Sequence, residues 1–172
     1  MFTDHGLAYF TDGKFVAVNG VPSQEVYSIT GDKPGDLWLS GNRGLSHMLD
    51  GRLVEQFPWS AMGRHQQAKV VVPDEGGLWL AFWVDGGVSY FKDGQVRASY
   101  TAADGLGKGP VAGLRLDADG TAWVATEEGG LSRIKDGRIA TLTTKNGLPC
   151  NAIHWSIEDD DRSLGAAWLI GF

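Results

Sequence analysis

Apolar positions in this chain fall in short runs separated by glycines and Asp-Gly pairs, and the clearest unit covers 109–149. Residues 111–117 alternate loosely and predict a first strand, A; Asp119-Gly120 is a tight turn; and 121–125, carrying Trp123, is a second strand, B. Gly129-Gly130 breaks the chain before a third strand, C, over 131–135. Asp136-Gly137 fits a two-residue hairpin, because this pair tolerates positive φ at both turn positions, and 138–143 is the fourth strand, D. No stretch keeps an apolar period of about 3.6 residues over three turns, which leaves helix little room.

The unit recurs. Trp38, Trp79, Trp123 and Trp168 are spaced by 41, 44 and 45 residues, each with a glycine three positions earlier. A Gly-Leu/Val pair follows at Gly6-Leu7, Gly44-Leu45, Gly87-Val88 and Gly130-Leu131. An Asp-Gly pair then comes six residues on, at Asp12, Asp50, Asp93 and Asp136. Four short antiparallel strands in each such period are a propeller blade. The expected class is therefore all-β, a β-propeller with about four blades present. The units are a half blade over 1–18, blades over about 19–59, 60–103 and 104–145, and a half blade over 146–172.

One blade buries little alone, so its large side chains must pack against the next. The four tryptophans, with Leu45, Val88 and Leu131, are the expected core between blades. The Asp-Gly pairs read as turns, not catalytic carboxylates. Asp117-Ala118-Asp119-Gly120 lacks the remaining ligands of a calcium loop and also reads as a hairpin. The two half blades could close a four-bladed ring. An arc of a larger ring is the favoured expectation, because no capping repeat is visible at either end.

Leu116 to Thr126, with Asp119-Gly120 and Trp123, and the run Gly129-Gly130-Leu131-Ser132-Arg133-Ile134-Lys135-Asp136-Gly137 resemble the two-component regulator propeller repeat. Asn146-Gly147-Leu148-Pro149 does so as well. The resemblance implies a seven-bladed, periplasmic or otherwise extracytoplasmic sensor region of a bacterial histidine kinase or hybrid kinase. It implies no cofactor. The implied partners are the remaining blades and kinase domains of a parent chain. His5, His47, His65 and His154 fall in strands or loops of the repeat, so none is a credible phosphorelay histidine, and this segment is expected to be non-catalytic.

Composition narrows the partners further. The 172 residues carry a net charge of −6, which argues against nucleic acid or an anionic membrane surface, both of which demand a basic face. No apolar run approaches a bilayer span, so direct membrane insertion by this segment is not expected. Nothing at the N-terminus has the pattern of a signal peptide. Cys150 is the only cysteine, so no disulfide forms within the chain.

Strand alternation puts the A–B and C–D turns on one face and the B–C and D–A links on the other. The first face is monotonous and the second varies, which is where a rigid scaffold usually binds. The departures gather in one blade, in Pro58 to Gln67 and in Phe82-Trp83-Val84-Asp85. Trp59, Arg64, His65, Trp83 and Asp85 are the candidate ligand-binding residues. An aromatic platform beside an arginine and an aspartate could stack a sugar ring and bond its hydroxyls, so an oligosaccharide or another small ligand is the expected partner. The bland alternative has the tryptophans filling a gap between blades. Two other functions stay open. One is a streptogramin-lyase-like enzyme using His154 and Glu158; the other is a purely structural protein-interaction platform. The acidic run 158–161 reads as a solvated hairpin, and no metal site is expected.

Overall fold

Alternating runs joined by Asp-Gly turns give sixteen short strands in the computed structural model, which describes residues 7–18, 20–21, 25–158 and 164–167. β1 (Leu7–Thr11) and β2 (Lys14–Val18) form a two-stranded sheet. β3 (Val26–Lys33), β4 (Asp36–Gly41), β5 (Gly44–Leu49) and β6 (Arg52–Phe57) form blade I. Blade II is β7 (Ala68–Asp74), β8 (Gly77–Phe82), β9 (Val88–Lys92) and β10 (Gln95–Tyr100). Blade III is β11 (Val111–Leu116), β12 (Ala122–Thr126), β13 (Gly130–Lys135) and β14 (Arg138–Leu142). β15 (Trp155–Glu158) and β16 (Leu164–Ala167) form a second two-stranded sheet. Every pairing is antiparallel and follows chain order, so each blade is a meander. Neighbouring sheets meet through their first strands: β3 against β7, β7 against β11, and β11 against β15. This is the radial order of a β-propeller.

The repeated turn residues have a backbone cause. Asp12, Asp50, Asp93 and Asp136 have φ of 49°, 48°, 51° and 50°, and the glycine after each lies between 72° and 75°. Two successive positive φ values make the type I′ turn that matches the twist of a hairpin. The glycine opening each third strand has a different role. A Cβ on Gly44, Gly87 or Gly130 would run into the carbonyl oxygen of Phe57, Tyr100 or Leu142, at the end of the partner strand. The Gly-Leu/Val pair therefore combines a close backbone approach with the buried residue that follows it.

Those following residues, Leu45, Val88 and Leu131, are all fully buried. Trp79 is 8% exposed and packs with Leu114, Ala122 and Val124 of blade III, across the seam. Trp38 lies between the rings of His47, Phe57 and Phe91, the last from blade II. Trp123 packs only partly against Leu131 and Ile153, with the Arg115 guanidinium 5.6 Å from its ring. Trp168 and residues 159–162 lie outside the described residues, as does the side chain of Glu158.

The D–A links carry more structure than a short connector. After blades II and III the chain makes 3-10 turns over Ala102–Asp104 and Thr144–Asn146, each closed by a capping box. Thr101 N and Oγ1 donate to Asp104 Oδ2, both at 2.9 Å, and Thr143 N and Oγ1 donate to Asn146 Oδ1 at 3.1 and 3.2 Å. The next glycine, Gly105 or Gly147, has φ 98°, and the leucine after it donates its N–H back to the threonine carbonyl.

Candidate functional site

The link between blades I and II has the same skeleton with different side chains. Its 3-10 turn is Trp59–Met62, Gly63 has φ 69°, and Arg64 N donates to Trp59 O at 3.0 Å. That bond is the counterpart of Leu106 N to Thr101 O at 3.1 Å and Leu148 N to Thr143 O at 3.2 Å. Arg64 thus stands where the next link has Leu106, which is 3% exposed. Strand register identifies a second exchange: Ala68 faces Phe82 as Val111 faces Thr126, so Phe82 replaces a buried threonine.

The two exchanges meet. The Arg64 guanidinium lies 4.2 Å from the centre of the Phe82 ring, donating Nη1 to Gly86 O at 3.3 Å and Nη2 to Ser89 Oγ at 2.9 Å. Ser89 Oγ in turn bonds Ser99 Oγ at 2.9 Å. Burial lowers the Arg64 pKa from its ordinary value, while the nearby Asp85 carboxylate opposes that shift. Trp59 is 5% exposed, crosses Phe82 edge-on with centroids 6.0 Å apart, and donates Nε1 to Gly41 O at 2.8 Å. It fills the core between blades I and II.

Of the five candidates only Trp59 is buried, and Arg64 is half-buried among its partners. Trp83 is half-buried, and Asp85 and His65 are exposed. Lys69 lies between two aromatic rings, its Nζ 5.2 Å from Trp83 and 5.8 Å from Tyr27 of blade I. Tyr27 Oη donates to Glu25 Oε2 at 2.5 Å; that bond, together with burial and the glutamate charge, raises the phenol pKa. The link face between blades I and II therefore presents an aromatic–cation–aromatic strip, with Trp83 and Asp85 on the B–C loop 83–86. Sequence reasoning missed Tyr27 and Lys69. Both sit at the starts of A strands, and aligning those strands by their buried first residues, Val26 and Ala68, would have found them.

His154, paired in the enzymatic alternative with Glu158, whose side chain lies outside the described residues, has Nε2 3.8 Å from Glu127 Oε1. The opposite face holds a second feature that the sequence did not announce. His47 stacks on Trp38, centroids 4.2 Å apart and planes within 1°, with Nε2 2.8 Å from Asp36 Oδ1 and Nδ1 3.5 Å from Glu55 Oε2. The group lines a cleft of about 340 Å³ between the hairpins of blades I and II. Among the described residues no group of three or more histidines, cysteines and carboxylates could hold a metal ion.

Residues 20–43 match the family described as two component regulator propeller. That match covers a short stretch around the start of blade I, where the chain is similar to the regulator propeller repeat. No curated protein matches it. Solved propellers do. The extracellular domain of a putative hybrid two component system from B. thetaiotaomicron superposes with a TM-score of 0.75 at 19% identity, over 95% of this chain and 24% of that one. The extracellular domain of a putative one component system from the same organism gives 0.66 at 16%, covering 96% and 26%. The WD40 β-propeller domain of Doa1 gives 0.68 at 12%, covering 91% and 52%. At these identities the likeness is one of fold. The chain spans about a quarter of the length of the first two. Among its described residues no helix is long and apolar enough to cross a membrane.

Proposed function

We propose that this segment is the ligand-recognising part of an extracytoplasmic sensor propeller in a bacterial two-component signalling protein, which passes occupancy to a kinase elsewhere on its parent chain and does no chemistry itself. The observation that carries the reading is the Tyr27–Lys69–Trp83 strip. Two aromatic faces flank an ammonium donor on the varied face of a rigid β scaffold, at a seam between blades. Aromatic faces stack on the apolar side of a pyranose ring, while an ammonium and a carboxylate such as Asp85 bond its hydroxyls. An oligosaccharide is therefore the ligand class that fits best. The repeat match and the shared fold with extracellular domains of two-component systems support the sensor role and the extracytoplasmic setting.

Titration calorimetry of the full-length protein against a panel of neutral and acidic oligosaccharides tests this. The expected result is saturable binding of at least one member, weakened tenfold or more by Trp83→Ala and by Lys69→Ala, a loss of about 1.4 kcal/mol or more. Absence of saturable binding across the panel, or unchanged affinity in both variants, would overturn the reading.

A further inference from the structure

We infer that Arg64 is a positioning residue, which holds the B–C loop 83–86 of blade II in the conformation that presents Trp83 and Asp85. The inference rests on the ligand-binding reading above for its function but not for its structural content. Blade III shows one way of tying this loop from within. Thr126 Oγ1 donates to Gly130 O at 3.0 Å and accepts from Gly129 N at 3.2 Å, so the B–C turn is held by its own strand. Phe82 occupies that place in blade II and has no hydroxyl with which to do it.

The tie comes instead from the preceding link. Arg64 replaces an apolar residue of the turn, covers the Phe82 ring, and reaches Gly86 O, the last residue of the loop. Its second arm is anchored on Ser89, which is 1% exposed, so the guanidinium cannot swing without abandoning a buried partner. The far side of the loop is confined as well: a Cβ on Gly86 would come within 2.9 Å of Gly109 O in the next link. The Thr-to-Phe and Leu-to-Arg exchanges are thus one device. The loop loses its internal tie, gains a residue over the turn at 127–129, and is fixed from outside.

The test uses full-length protein labelled with 5-fluorotryptophan, the Trp83 resonance being assigned by Trp83→Phe. Arg64→Leu, which restores the residue of the neighbouring link, is expected to keep a cooperative thermal transition. It should shift or broaden the Trp83 line while leaving the Trp59 line in place, and weaken oligosaccharide binding at least fivefold. The double variant Arg64→Leu with Phe82→Thr is expected to recover the Trp83 line, since a threonine there can again bond Gly86 N and Gly87 O. If Arg64→Leu alone fails to fold, the double variant and Arg64→Lys carry the same measurement. An unchanged Trp83 line in Arg64→Leu, or no recovery in the double variant, overturns the positioning role. A shifted line together with an absence of oligosaccharide binding even in the wild type upholds the positioning role and defeats the ligand reading instead.

Discussion

Among the described residues each strand-B tryptophan faces a different cross-strand neighbour, and that neighbour sets how much the indole matters. Trp38 pairs with His47, Trp79 with Tyr90, and Trp123 with Arg133. Trp79 is buried, tilted against Tyr90 and stacked on Tyr100, whereas Trp123 is only half-buried beside the exposed Arg133. Trp79→Ala is therefore expected to cost about 3–5 kcal/mol, the range for a large buried aromatic, and Trp123→Ala clearly less. Urea denaturation of both variants checks the ordering; equal losses would mean that the Trp123 seam is tighter than its exposure indicates. Spacing alone marked these positions as core, because a repeat fixes where its large residues fall. It could not grade them, since the grading depends on cross-strand partners that only the register reveals. The same limit hid His47, an unremarkable strand residue in the sequence until Asp36, Trp38 and Glu55 are seen around it.

At the scale of elements, strands and hairpins were legible almost to the residue. Gly and Asp-Gly positions need positive φ or close approach, and few other residues supply either. The D–A links were less legible. Thr101–Gly105 and Thr143–Gly147 are capped 3-10 turns, a pattern visible once Thr-x-x-Asp/Asn-Gly is aligned in the two copies. Arg64 was legible as a departure from the repeat, though not as a clamp, because its partners Phe82, Gly86 and Ser89 lie across two strands. The two caps differ in one atom of consequence. Hydrogen bonds from the Thr101 N–H and hydroxyl hold the Asp104 carboxyl below its ordinary value, whereas Asn146 does the same structural work without titrating. A lowered folded-state pKa means the Asp104 cap is fully formed above the ordinary aspartate range, near 3.8, and is lost as pH falls through the lower folded value. Amide exchange at Thr101, measured against the expected intrinsic rate, should lose protection in acid while Thr143 keeps it. Parallel loss at both would assign the effect to general acid unfolding.

Across the whole molecule, contacts run from each blade to the next, so stability resembles a sum over seams. The seam between blades I and II is cross-tied by side chains as well as by apolar packing. Ser40 Oγ donates to Ala68 O at 2.5 Å, and Ser28 Oγ accepts from Val71 N at 3.1 Å. The proposed ligand strip straddles this seam, with Tyr27 on blade I and Lys69 and Trp83 on blade II. A bound oligosaccharide would then act as a rivet. Pulled from its ends in an optical trap, the unliganded chain should peel seam by seam, and ligand should raise the rupture force at one step only. A rise spread over every step would place the ligand on the scaffold as a whole. A propeller riveted at one joint would resist shear most strongly there, so on the proposed reading its signal would be mechanical before it is chemical: one hinge between two neighbouring plates would stiffen while the others keep their give.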